Sequence, residues 1–590
     1  MKNLRFLVPA CLSLILAAAT QAAPYPPEGR VTRWTQPDGR VLELRVFGDD
    51  YHARTENIEG YTVVRNPADN AYHYASLAAD GRSLVPTATL ADQPAPAGLQ
   101  QHLDLPDAEI RRIVQANRVI YDGDRAARWE ARVRSARDLR QAGQGKGKDK
   151  GKRAPARADL IQAAPVTGAK RGLTILVQFP NDPRTPATDP VNFPTNRDKI
   201  TRFCNSEGYV EDGNTGSVRD YFRDQSLGLL DYTQSVTEVV TMPKARNYYN
   251  FSDYPTNRVF RGDASRVLIL DAIDVLKNQG YDFTSLTVDG FSRAVATNVF
   301  FAGADSGQWA QGLWPQSWSL NSPVSVGTSA NPVFISNFQI TNIDRPNPVI
   351  GTFCHENGHM ILDLPDIYSL VGEGVGQHCL MGSGNHLNGG RTPSPINGHF
   401  KDLVGWGNVT EVLASEFKTV SLSTTGNIAY RIRKPDAPTE SFLVEHRGTG
   451  DKWAKYSSDT GVAIWHIDEN IAGNINLNLP YGVALKQADG REDLELGRNR
   501  GDSTDLYDAS LRSFSATTTP DSGWRDRTAS FVKVEVLSIS GSNASVNFGE
   551  VPPNTILVDS PNGGEVIFPG TAFNLRWRAN LTGNVRLELL

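Results

Sequence analysis

Apolar and polar residues alternate through Val41–Phe47, between the turn-forming runs Asp38-Gly39 and Gly48-Asp49-Asp50, which predicts a half-buried strand. Gly60–Val64 and Tyr72–Tyr74 have the same character, so the first hundred residues read as a small β-rich unit. A different pattern starts at Leu173. Leu173–Phe179 is a nearly continuous apolar and β-branched run, as a strand buried on both faces would be, and Val295–Ala302 is a second. Between them, Ser217 caps a helix through Val218, Tyr221 and Phe222 that Gly228 ends, and Asp263–Gln279 forms an amphipathic helix stopped by Gly280. Val349, Ile350, Phe353, Met360 and Ile361 would bury a further helix, ended by Pro365. Strands and helices that interleave in this way imply a twisted sheet backed by helices. After Trp406 helices become rare. Thr419–Leu422, Ser441–His446, Val462–Ile467, Val483–Gln487, Phe531–Ile539 and Ala544–Phe548 read as strands of an all-β sandwich.

A chain of 590 residues has room for several domains. Its start carries an address: Lys2 and Arg5 are followed by an apolar run from Phe6 to Ala18 and the small-residue site Thr20-Gln21-Ala22, the pattern of a secretory signal. That run is too short to span a bilayer, and no later stretch is long enough. Secretion to the extracellular space is the expectation. A net charge of −5 argues against nucleic acid as a partner. From Arg128 to Arg157 the chain turns basic and then Gly/Lys-rich, with too little apolar surface to fold, so a solvated linker is expected there. Cys204, Cys354 and Cys379 remain after removal of the signal. An oxidising compartment allows one disulfide, and Cys354–Cys379 would tie the buried helix to the turn at residues 379–384.

The chemistry concentrates at Cys354–Tyr368, C-H-E-N-G-H-M-I-L-D-L-P-D-I-Y. His355 and His359 are four apart, which on a helix puts both imidazoles on one face, where they can share a metal ion. Glu356 projects beside that metal. The set is H-E-x-x-H, two zinc ligands and a general base. Pro365 lets the chain turn back so that Asp366, seven residues after His359, can be a third ligand; Asp363 competes for the role, with His378 and His386 more remote. Zinc held this way keeps a position for water, Glu356 is the catalytic base, and Tyr368 is a candidate second donor to the transition state. Met381, among glycines in Cys379–Gly384, matches the methionine that metzincin proteases place beneath their zinc site. A second set, Asp489, Asp493, Asp502 and Asp505, lies in a glycine-containing acidic stretch that suits calcium, although its spacing fits no EF-hand.

His355 to Tyr368, Met381 with its glycines, and Trp314-Pro315-Gln316-Ser317-Trp318 resemble the immune inhibitor A family of secreted bacterial metalloproteases. Pro365-Asp366-Ile367-Tyr368 matches the family's Pro-Asp-x-Tyr. Leu362 and Asp363 stand where the family has a glycine, and Asp366 is one residue further on than the usual metzincin spacing. The resemblance implies a multidomain secreted zymogen acting on protein or peptide substrates. Its parts would be a signal peptide (1–22), a β-rich prosegment that inhibits the enzyme (23–125), a linker with the activation site (126–163), an α+β metzincin-like catalytic domain (164–410), a β-sandwich (411–550) and the opening of an immunoglobulin-like module, cut short (551–590). With no cysteine in the prosegment, inhibition must use steric occlusion or a ligand other than a thiolate. The rival expectation is a non-catalytic surface adhesin built on a degenerate protease core. Intact His355, Glu356 and His359 count against it.

Overall fold

The computed structural model describes residues 29–579 apart from 49–50, 67, 70, 122, 145–163, 183–190, 250–262, 304–312, 370–371, 449, 472–475, 477–478, 551–555, 561–571 and 573. The signal sequence, the Gly/Lys-rich run after residue 144 and the end of the expected immunoglobulin-like opening, from residue 580 on, lie outside these residues. The fold is mixed α/β, with several sheets and few helices.

At its centre are five strands: β1 (Gly168–Gln178), β2 (Leu230–Thr241), β3 (Thr297–Ala302), β4 (Gln316–Ser325) and β5 (Phe334–Ile343). They lie in the order β4-β5-β3-β1-β2. All pairings are parallel except that of β4, which runs antiparallel to β5 and forms one edge. Leu173 to Val177 in β1 are fully buried, because both faces of the sheet are covered. Alternation divides them: Leu173, Ile175 and Val177 enter one core, and Leu176 the other.

Six helices matter to the site: α1 (Asp107–Tyr121), α2 (Gly123–Gln144), α3 (Arg197–Asn205), α4 (Val218–Gln225), α5 (Asp263–Asn278) and α6 (Ile350–Leu362). The first core joins Leu173, Ile175 and Val177 to Leu268, Ile269, Ala272, Ile273 and Leu276 of α5. The second takes in α3, α4 and α6. Helix α4 begins where the sequence predicts, with a capping box in which Ser217 and Asp220 satisfy each other's backbone amides.

The N-terminal strands form two small three-stranded antiparallel sheets within residues 30–57 and 63–90, followed by α1 and α2. Helix α2 corrects the expectation of a linker from residue 126: the chain is helical up to residue 144, and its first half is docked through Trp129 and Val133. The physical reason is that two apolar residues suffice. Trp129 and Val133 are buried in the same core as α6, and the Trp129 ring meets Phe400 edge-on at 5.1 Å. The arginines around them raise the polarity of the segment without removing that anchor.

Beyond Trp406 two sheets form, one of five strands within residues 408–485 and one of four within residues 418–548. They share a core of Val420, Leu422, Phe442, Val444, Val534 and Val546. The other face of the five-stranded sheet, through Leu443, Ala463, Trp465 and Ile467, joins the core that holds α6. Hence one apolar core runs from α2 through α6 to residue 506. Ile556–Ser560 and Arg576–Ala579 pair as a separate antiparallel ribbon. Among the described residues, no helix is long and apolar enough to cross a membrane.

Candidate metal centre

Helix α6 is buried over its whole length. His355 and His359, one turn apart, set their rings edge to face at 4.8 Å. The helix stops because Asp363 adopts the left-handed conformation (φ 57°, ψ 20°), which turns the chain so that the amide of Leu364 reaches back to the carbonyl of Gly358 at 3.2 Å. Pro365 then prevents any return to helix. The returning segment brings Asp366 Oδ1 to 3.2 Å from Nε2 of both His355 and His359. These three are the group the sequence proposes as metal ligands, and their donor atoms lie within 4.8 Å of one another.

The far side of each imidazole is fixed. Nδ1 of His355 lies 2.9 Å from the carbonyl of Leu380, and Nδ1 of His359 lies 2.7 Å from that of Leu364. A carbonyl only accepts, so each Nδ1 donates, and in the neutral ring each Nε2 offers its lone pair to the shared point. His359 Nε2, Asp366 Oδ1 and Glu356 Oε2 are buried and make no hydrogen bond. Leaving such atoms unmatched costs about 1–3 kcal/mol each. Two imidazoles and a carboxylate with orphaned donors fit a zinc ion.

Electrostatics agree with this division of roles. Burial pushes the Glu356 carboxyl above its ordinary range, against the opposing pull of His355 and His359. For Asp366, burial also acts upward, but the two histidines hold it well below the usual carboxylate range. For His355, burial acts downward and is outweighed by Asp366, so its pKa is raised.

Met381 is buried under α6. A Cβ placed at Gly358 would lie 2.8 Å from the Met381 sulfur, so glycine is what lets the turn approach the helix. The Met381 carbonyl also receives the Ile367 amide at 2.9 Å, which fixes the segment carrying Asp366.

Other sequence candidates fall elsewhere. Asp363 points away from the histidines, to Arg128 Nε at 2.6 Å. Neither His378 nor His386 joins the group, and His378 pairs with Asp505 at 2.9 Å. The Tyr368 ring packs against Tyr51 and Val114. The expected Cys354–Cys379 disulfide is absent: Cys204, Cys354 and Cys379 are free and buried. Cys354 feels Cys204 electrostatically, whereas Cys379 faces the Asn397 amide and the Arg447–Glu445 pair, so the two thiols sit in different surroundings. The hydrogen bond from His355 to Leu380 ties helix to turn instead. In the acidic stretch, Asp489, Asp493 and Asp502 gather within 4.8 Å. Asp505 does not join them, being held by His378. The three that gather are already engaged, with Thr504, Arg498 and Asn499 respectively.

Three features have no signature in the sequence. First, the N-terminal region reaches the site: the Tyr51 hydroxyl donates to Asp366 Oδ2 at 3.2 Å, and Arg125 Nη2 stands 4.0 Å from the same oxygen. Tyr51 lies in the run Gly48–His52, but nothing local distinguishes it. Second, a shallow cleft lies over the edge strand, lined by Ser317, Trp318 and Ser319 of β4, by His359 and Met360, and by Arg125 and Arg128 of α2. Third, a buried polar ladder joins α6 to the sheet. Tyr232 donates to Asn357 Oδ1 at 2.5 Å, Asn357 to Asn298 Oδ1 at 2.9 Å, and Gln339 to the same oxygen at 3.1 Å.

No family model matches the chain, and no curated protein is significantly similar to it.

Proposed function

We propose that this chain is a secreted zinc endopeptidase made as a zymogen, its catalytic unit of metzincin-like plan and akin to the immune inhibitor A family. The observation that carries the reading is the convergence of His355, His359 and Asp366, with three orphaned buried donors including Glu356 Oε2. An antiparallel edge strand, β4, lines the adjoining cleft and offers backbone groups to an extended peptide.

His355, His359 and Asp366 would hold the metal, which when bound polarises a carbonyl and lowers the pKa of water towards ~7. Glu356 takes the proton from the attacking water and returns it to the leaving amine. The carbonyls of Leu380 and Leu364 keep both imidazoles in one tautomer and orientation through the cycle. Residues 29–144 act as the inhibitor, since Tyr51, Arg125 and Arg128 stand in or beside the cleft.

The test is zinc content of the purified protein, paired with hydrolysis of denatured casein before and after cleavage between residues 145 and 163. One zinc per chain, with activity after cleavage that disappears in Glu356→Ala, supports the reading. Absence of bound zinc would sink it. Zinc with no turnover in any form would favour the adhesin instead.

A further inference from the structure

At the end of the helix that carries the two histidines lies a charge with a job that the peptidase reading leaves unassigned. Asp363 caps α6 at φ 57°, a conformation that glycine adopts freely and that few side-chain-bearing residues take up. Its carboxylate is one turn past His359 and only 16% exposed, and it meets Arg128 Nε at 2.6 Å. Arg128 also lines the cleft over β4, together with Ser317, Trp318, His359 and Met360. Among the described residues, both cations that face Asp363, Arg128 and Arg132, are carried on α2. They leave with the prosegment. The carboxylate then stays at the end of α6, next to the place that Arg128 held at the cleft, with its partner gone.

We infer that Asp363 is a specificity-determining residue. It selects substrates with a basic side chain, arginine above all, near the scissile bond, and Arg128 of the prosegment is a stand-in for that side chain. The inference rests on the peptidase reading for its substrate class. Arginine is favoured over lysine because a planar guanidinium matches a carboxylate with two parallel donors, whereas an ammonium is a compact, strongly hydrated point charge. A buried or half-buried carboxylate that loses its cation also disfavours acidic side chains at the same position.

The experiment uses the full chain, zinc-loaded, carrying Glu356→Gln to prevent turnover, cleaved between residues 145 and 163 and then separated from its N-terminal fragment. Alanine-based hexapeptides, with one arginine walked through each position, are titrated calorimetrically. One or two positions should bind about tenfold tighter than the all-alanine peptide, the scale of one charge-assisted pair. Asp363→Asn should abolish that preference. So should Asp363→Gly, which suits the left-handed backbone and so keeps the fold. Asp363→Lys should move the preference to glutamate. An arginine preference unchanged in Asp363→Asn and Asp363→Gly, or none in the parent, overturns the inference. Binding is read without turnover. Selective binding through Asp363 in a protein that hydrolyses nothing would therefore sink the peptidase and keep this inference. Casein hydrolysis with no arginine selectivity would do the reverse.

Discussion

The hydroxyl of Tyr51 donates to Asp366 Oδ2 at 3.2 Å across 315 residues of chain, so the N-terminal region grips the carboxylate whose other oxygen faces both histidines. The Asn117 amide holds the Tyr51 carbonyl at 2.7 Å, and Val114 packs on the ring, so the tyrosine is presented by α1. Tyr51→Phe should keep the packing and remove the hydrogen bond, weakening the grip by about 1 kcal/mol. The expected outcome is a several-fold rise in casein hydrolysis by the uncleaved chain. Unchanged latency would show that occlusion by α2 is sufficient.

The Asn357 amide donates to Asn298 Oδ1 and to the Phe353 carbonyl while its oxygen accepts from Tyr232. Replacing Asn357 with leucine strands the Tyr232 hydroxyl, in a site with no water access. The cost should be about 1–3 kcal/mol, from one unmatched buried hydroxyl, since Asn298 Oδ1 keeps the Gln339 donor. Urea unfolding measures it. Competition with a zinc chelator should also show weaker metal binding, because the ladder fixes the rotation of α6.

Gly358→Ala sets two effects against each other. Alanine in a helix interior gains about 1 kcal/mol over glycine. The new methyl would stand 2.8 Å from the Met381 sulfur, and overpacking a buried site costs about 1–3 kcal/mol. Overpacking should win, giving a lower melting temperature. The double variant with Met381→Ala should recover part of the loss relative to the sum of the single changes. Simple additivity would refute the contact.

His466 supplies a pH dependence away from the metal. It is nearly buried against Phe442, with Nε2 at 2.9 Å from Glu440, and burial pushes its pKa down to about 4. As pH falls from about 6.5 to about 4, the unfolded chain takes up a proton that the folded chain refuses, so stability falls through that window. Below it the loss is complete, on the order of a few kcal/mol. Urea midpoints at pH 7 and pH 4.5 should diverge less in His466→Gln, which keeps a donor for Glu440.

The gathering of His355, His359 and Asp366 was legible because helix spacing and a following proline are local facts. The sequence leaves Asp366 and Asp363 in competition because the choice depends on one residue entering the left-handed region. The main strands after Trp406 were legible from turn residues and alternation, but the sharing of one core between their sheet and α6 was not, since both faces of that sheet are apolar. Helix α2 was hidden by its own arginines, whose charge outweighs Trp129 and Val133 in any compositional reading. The disulfide expectation failed because proximity in a motif says nothing about the direction of two Cβ bonds. Tyr51 was beyond reach for a simpler reason: its partner lies in a distant part of the chain.

Under the zymogen reading proposed above, the seating of Trp129 would give activation two separate clocks. Cutting the backbone between residues 145 and 163 severs a tether, but the indole against Phe400 and the side chain of Val133 remain lodged in the common core. Each such residue resists withdrawal by about 1.5–3 kcal/mol. A nicked molecule would therefore keep its shape and its silence until α2 slides out, and it would then display a vacated aromatic socket. How long that second interval lasts is set by packing and not by the nicking protease. A burst of cuts would be answered by a delayed, gradual rise in activity.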